Sequence, residues 1–306
     1  MLDGVLKSVV NTEENNKDKI GYIYSFLSSI FFVFANLFVK LLNMSPAELA
    51  YYRSLSFVVL GYHSMSAFNL RFHFPTKKIN RMLLIRGCIG IVALVFTYYG
   101  VKLLPLSEWV VVHQTTPVIT AGLAPFILHE RFEWISIFTI LLSMVGITFI
   151  AKPPFLFGGE EGNQDTYNHI LGVLFSLTGA FLNSFTQLLI KKLGGKTNTV
   201  VIVYYFGVIG MIYGAVVSLY QGFIMPKGGD FIALFLIGFL SFLGQILKNR
   251  SYMYGKAARI SMMGYSQILI NYFIDIFYFG IKPDAYSLFG SFLIISCILA
   301  LISKEA

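Results

Sequence analysis

The residues best suited to chemistry lie where the chain is otherwise most apolar. The run from Ser107 to Leu128 is long enough to cross a bilayer as one helix, yet its middle reads His113-Gln114-Thr115-Thr116-Pro117. The imidazole of His113 can carry a proton, and the amide and hydroxyls can hold a polar ligand. Pro117 has no N–H, which predicts a kink and an unpaired carbonyl at His113. At helical spacing His113, Pro117 and Thr120 share a face, with Thr116 beside it. A polar turn of this kind at membrane depth is hidden against protein, water or a cavity. Two readings stay open: a packing kink bonded to its neighbours, or the lining of a cavity in which His113 could couple to protons.

Three further sets share the pattern. Gln267, Asn271 and Asp275 fall at i, i+4 and i+8, one polar stripe on an apolar helix. A carboxylate in a span costs about 2.5–3.5 kcal/mol on insertion scales, so Asp275 is either a coupling or site residue or a group at the rim. Asn36…Lys40 and Asn183…Gln187 are i, i+4 pairs that either bond between helices or face a cavity from opposite sides. The cations are the best clue to a ligand: Arg53 about two turns into its helix, Lys248 and Arg250 near the end of another, and Arg86. Only Asp275, Glu48 and Glu108 oppose them within or near the apolar segments. A wet cavity with excess cations attracts carboxylate or phosphate. The competing readings are anchoring of Arg86, Lys248 and Arg250 at the inner interface, and an Arg53–Glu48 ion pair. Tyr98 and Tyr205 are candidates for stacking a ligand, against the simpler reading of an interfacial aromatic belt. There is no phosphate-binding G-x-x-x-x-G-K-[ST] loop, no Cys-x-x-Cys and no paired carboxylate motif, so neither a metal nor a cofactor is expected.

These residues need helices in a membrane to position them. Of the 306 residues, 56% are hydrophobic and 12% charged, against about 25% charged in soluble domains. Ten apolar segments of roughly 20 residues can be placed near 20–42, 47–68, 82–103, 107–128, 132–151, 168–192, 199–220, 231–254, 257–279 and 284–303. Residues 1–19 and 304–306 read as tails, and 153–167 as an outer loop between two halves, 20–152 and 168–303. With the N-terminus inside, seventeen of the 23 lysines and arginines fall in inner segments and five in outer ones. That bias places both termini in the cytoplasm and explains the net charge of +8 without nucleic acid. Cys88 and Cys297 lie inside apolar runs, so no disulfide framework is expected. No secretory signal is evident at the N-terminus.

The halves echo each other in order: Phe34-Ala35-Asn36 in Phe181-Leu182-Asn183, Tyr51-Tyr52 in Tyr204-Tyr205, Tyr99-Gly100 in Tyr254-Gly255. Five spans per half is an odd number, so the second copy must enter the membrane upside down, with a site near the midplane between copies. Pro46-Ala47-Glu48 leading to Arg53, Arg86-Gly87, Tyr98-Tyr99, and Ser107 through Pro117 to His129-Glu130-Arg131 resemble the EamA-type drug/metabolite transporter superfamily. Gly146 through Lys152-Pro153-Pro154-Phe155, with Gly244-Gln245, Tyr265-Ser266-Gln267, Asp275, Lys282-Pro283-Asp284 and Gly290, is similar to the group-G branch of the solute-carrier-35 family. The resemblance implies an all-α polytopic membrane protein of ten transmembrane helices in two inverted five-helix repeats. It also implies a central cavity, to which Gln245 is added as a candidate, and alternating-access transport of a small metabolite. The asparagine-rich and Gly-Ala-Leu-Asn-Lys signatures of nucleotide-sugar transporters are missing. The function expected is a secondary transporter of a small organic anion, not an enzyme. The alternatives are a non-transporting membrane scaffold and a membrane-embedded acyl-transfer enzyme, for which the chain offers only the isolated His113. The sequence leaves a homodimer open.

Overall fold

A computed structural model describes residues 17–42, 44–70, 77–104, 109, 112–130, 133–151, 156, 166–221, 226–277 and 285–303. Asn36, Lys40, Tyr98, Asn271 and Asp275 lie on described helices, but their side chains are outside the described set. Among the described residues there are eleven helices and no strand. In chain order they are α1 (Lys17–Leu41), α2 (Pro46–Ala67), α3 (Lys77–Leu103), α4 (Thr116–Leu128), α5 (Trp134–Ala151), α6 (Thr166–Leu193), α7 (Thr199–Gln221), α8 (Asp230–Tyr254), α9 (Ala257–Met263), α10 (Ser266–Phe277) and α11 (Ala285–Ser303).

Local chemistry sets several boundaries. Ser45 and Glu48 form a reciprocal capping box at α2, with Pro46 at the first turn where a missing N–H costs nothing. His129 closes α4 in the left-handed region, at φ 56°. Four helices contain segments long and apolar enough to cross a membrane: Lys77–Thr97, Asn168–Leu193, Thr199–Tyr220 and Asp230–Tyr254. Shorter apolar segments run over Lys19–Ala35, Thr116–Leu128, Trp134–Ile150 and Ala285–Ala300. Large apolar side chains face outward on many helices, with Phe126 80%, Leu219 78% and Phe277 82% exposed, as lipid-facing surfaces require.

The packing repeats across the two halves. The main pairs are α1 with α8, α3 with α6, α2 with α7 and α5 with α11, a set that is unchanged when the halves are exchanged. Equivalent helices meet antiparallel. Along α2 and α7, Gly214 faces Tyr51, Gly210 faces Ser54, Gly207 faces Phe57, and Gly61 faces Tyr204. At Gly214 an added Cβ would come within 2.8 Å of the Tyr51 Cα, so only a residue without a side chain permits this crossing. Along α5 and α11, Gly146 meets the Gly290 carbonyl, with Phe149 stacked on Tyr286.

Two of the ten segments read from the sequence are not continuous helices. The fourth, 107–128, is interrupted by a turn at Gln114-Thr115, leaving α4 with 13 residues, about 20 Å of rise. The ninth, 257–279, was expected whole, but it breaks at Gly264-Tyr265 into α9 and α10. In both, a hydroxyl just past the break bonds the carbonyl three residues back: Thr116 Oγ1 to His113 at 2.7 Å, and Ser266 Oγ to Met263 at 2.7 Å. The carbonyl that Pro117 was expected to strand at His113 is therefore satisfied by a side chain. Pro117 itself sits in the first turn of α4, where it fits without disrupting a hydrogen bond.

Candidate functional site

The two breaks touch. Tyr265, fully buried in the second, donates its hydroxyl to the Gln114 carbonyl of the first at 3.2 Å. Ser184 of α6 donates to the Thr116 carbonyl at 3.0 Å, which clamps the first break against the second half. Gln187, one turn further on, accepts at Oε1 from Thr120 of α4 at 3.1 Å and from Ser261 of α9 at 3.3 Å. One amide thus ties both interrupted segments to α6.

Beside these contacts lies a cavity of about 280 Å³. The first half contributes Ser25, Ser28, Ser29 and Phe32 of α1, then Trp109, His113, Gln114, Thr116 and Pro117. The second contributes Asn183 and Gln187 of α6, Lys248 and Tyr252 of α8, and Ile260, Ser261, Gly264, Gln267 and Ile268 around the second break. Helix interruptions put otherwise hidden backbone and polar side chains at the cavity wall, which is where irregular backbone is tolerated in a membrane.

The lining is polar but unevenly satisfied. The hydroxyls of Ser25, Ser28 and Ser29 donate to the carbonyls of Ile260, Gly244 and Ser25, so what each oxygen still offers is acceptor capacity. The side-chain amides of Gln114, Asn183 and Gln267 have no hydrogen-bond partner among the described residues. Trp109 stacks on His113 with ring centroids 5.1 Å apart, and the buried Trp109 Nε1 and His113 Nδ1 are likewise unpartnered among the described residues. Lys248 approaches the Phe32 ring, its Nζ 5.8 Å from the centroid, and is the one formally charged side chain among the eighteen lining residues. A cavity whose described lining has one ammonium, several free amides and no carboxylate can hold a polar molecule by directed hydrogen bonds and one charge.

Of the residues singled out in the sequence, His113, Gln114, Thr116, Pro117, Asn183, Gln187, Lys248 and Gln267 converge on this cavity. Others lie elsewhere. Arg53 packs over Phe57 at 5.2 Å, and Arg250 over Tyr24 at 5.9 Å. Tyr205 stands edge-on to Tyr204 in the packing around Met65 and Leu83, and Gln245 donates to Asn249 Oδ1 at 2.9 Å within α8. Asn36, Tyr98, Asn271 and Asp275 fall outside the described side chains. Sequence reasoning passed over the serines of α1, although Ser25, Ser28 and Ser29 at i, i+3 and i+4 already make a polar face.

It also passed over a charge cluster at one end of the broken segments. Glu133, between α4 and α5, accepts from Arg259 Nε at 2.7 Å and Nη2 at 2.9 Å, from Ser136 at 3.0 Å, and from Lys256. Burial alone would raise its carboxyl, but the bonds from Arg259, Lys256 and Ser136 outweigh it and hold the pKa down at about 2. Glu130 pairs with Lys191 of α6 at 2.5 Å and accepts from the Ala257 amide at 3.2 Å. Lys191 also donates to the Gly255 carbonyl at 2.5 Å. The signal available was two carboxylates in the short connection between two apolar segments, in a chain whose other connections are rich in cations.

Known proteins share this architecture. A solved crystal structure superposes with a TM-score of 0.77 at 15% identity, covering 94% of this chain and 99% of that one, a likeness of fold. Solute carrier family 35 member G1 of Homo sapiens is 24% identical over 283 residues, covering 90% of this chain and 77% of that protein. The pseudopaline exporter CntI of Pseudomonas aeruginosa is 24% identical over 286 residues, covering 92% and 96%. The probable transport protein YPL264C of Saccharomyces cerevisiae is 27% identical over 247 residues, covering 76% and 69%. The family model for EamA-like transporters matches twice, at residues 19–152 and 170–303. With two such copies meeting at a shared polar cavity, the chain belongs to the EamA-like transporter family, and is a multi-pass integral membrane protein that transports small molecules.

Proposed function

We propose that this chain moves a small organic anion through the central cavity by alternating access, as ten transmembrane spans in two inverted five-helix repeats. The repeats run over 20–152 and 168–303, joined by the outer loop 153–167, with the tails 1–19 and 304–306 in the cytoplasm. The antiparallel meeting of α2 with α7 and of α5 with α11 supports the inversion. The seventeen-to-five distribution of lysine and arginine supports the orientation. The observation that carries the substrate class is Lys248, the lone charge among the described lining residues, which include no acid. A single ammonium in the wall favours one negative group, because charge-assisted hydrogen bonds exceed neutral ones. Binding to both end states with unequal affinity then biases their exchange.

Initial uptake rates in proteoliposomes test this. Labelled organic acids should enter faster than their uncharged amide counterparts. Lys248→Gln should slow acid uptake at subsaturating concentration by about 10–100-fold, the worth of a hydrogen bond to a charged group. Lys248→Arg should keep most of it. Wild-type rates in Lys248→Gln, or preference for cations in the wild type, would sink the assignment.

A further inference from the structure

Arg86 presents a problem that the cavity does not solve. It lies on α3 with only 4% of its surface exposed, and it is not among the cavity-lining residues. Its Nε and Nη1 are buried with no hydrogen-bond partner among the described residues. A cation serving as an interfacial anchor keeps its head in water, which this one does not. Unpaired buried cations are among the most expensive arrangements a protein can hold.

Its surroundings add positive charge. The guanidinium lies 4.4 Å over the Phe206 ring of α7, and Arg53 of α2 lies 5.2 Å over Phe57. Those two rings adjoin each other at 6.3 Å. The two guanidinium groups are thus neighbouring like charges. Arg53 has contacts of its own, so the site rests on the Nε and Nη1 donors of Arg86. Ring faces beneath both guanidinium groups attract the cations but accept no N–H edge. The planar fork of Arg86 therefore stays available to an acceptor with matching geometry.

We propose that Arg86, with Arg53 beside it, binds a compact anion where α2, α3 and α7 meet, beyond the described lining of the central cavity. The ligand chemistry is a carboxylate, phosphate or halide. Its charge offsets the repulsion between the two guanidinium groups. Two sources fit, a free inorganic anion or a second acidic group of the transported molecule.

Thermal unfolding of the purified full-length protein, at constant ionic strength held with methanesulfonate, separates these sources. Chloride and inorganic phosphate should each raise the Tm saturably in the wild type and in Lys248→Gln, and fail to do so in Arg86→Gln. That pattern assigns a free anion and is independent of whether Lys248→Gln abolishes uptake. If only a short dicarboxylate such as succinate raises the Tm, and both variants lose the effect, the second acidic group is the source. Should Arg86→Gln not fold, Arg86→Lys keeps the charge without the fork and should weaken apparent anion affinity about tenfold. The site is overturned if no anion gives a saturable shift in the wild type. It is equally overturned if Arg86→Gln, or Arg86→Lys in its place, titrates as the wild type does.

Discussion

The cavity and the charge cluster at Glu130 and Glu133 are built from the same segments in opposite ways. In the cluster, Lys191, Lys256 and Arg259 each meet a carboxylate, and the α9 amide at Ala257 is bonded as well. In the cavity, Lys248 and the amides of Gln114, Asn183 and Gln267 are left without such partners among the described residues. Saturated contacts hold one arrangement of the halves together, whereas unsaturated ones leave affinity for something that arrives. The cluster joins the α4–α5 connection and α6 to the start of α9, so separating these segments at that end requires breaking it.

The sharpest way to break this contrast is Arg259→Ala. The Arg259 side chain is 6% exposed and makes two of the four bonds to Glu133. Losing a fully buried ion pair costs about 3–5 kcal/mol. Lys256 remains opposite a carboxylate that is 19% exposed, so about 3 kcal/mol is expected, read as a clear fall in Tm in detergent. Ligand affinity, measured on the folded fraction, should change far less. The pH dependence has a definite sign. Glu133 has a depressed pKa of about 2. Its contribution is complete above the unfolded carboxylate range and is lost progressively as pH falls from there through about 2. The Tm difference between wild type and Glu133→Gln should therefore stay flat from pH 8 to about 5 and shrink below that. A difference that collapses near neutrality would show that the cluster is not held by this carboxylate.

Next in size is the contrast between the two breaks. In the first, the His113 carbonyl depends on the Thr116 hydroxyl, since Pro117 has no N–H to supply instead. In the second, the Gln267 amide donates to Gly264 at 3.1 Å and can shift to Met263 if the Ser266 hydroxyl is removed. Thr116→Val should thus cost about 2 kcal/mol, the penalty for a stranded buried acceptor, and Ser266→Ala about 0.5 kcal/mol. Equal losses in Tm would mean that proline is not what distinguishes the two.

That asymmetry also governs what could be read from the sequence. The first break announces itself through His113-Gln114-Thr115-Thr116-Pro117. The second is made by Gly264-Tyr265-Ser266, residues common in uninterrupted membrane helices, and it becomes visible only when Tyr265 is seen bonded to Gln114 across the repeat. Helix positions and the doubling of the chain were legible because hydropathy and span length are local properties. Which cations face a cavity was not. Arg53, Arg86, Lys248 and Arg250 have the same composition signal, yet only Lys248 lines the cavity, a distinction set by helix rotation and crossing. The partners of Glu130 and Glu133 were hidden for a similar reason, since Lys191, Lys256 and Arg259 come from the other half of the chain.

The smallest expected effect is the one that tests the binding side of the contrast. Asn183→Ala and Gln267→Ala each remove an amide that has no partner among the described residues. Neither change strands another protein group, so Tm should stay within a degree of wild type. Each should weaken binding of a transported ligand by about fivefold, close to 1 kcal/mol for a neutral hydrogen bond. Gln187→Ala is the internal control. Its amide already bonds Thr120 and Ser261, so truncation should lower Tm even in the absence of ligand. If Gln267→Ala destabilises the unliganded protein as much as Gln187→Ala does, its amide belongs to the scaffold that holds the halves together, and the cavity is correspondingly less open to a ligand.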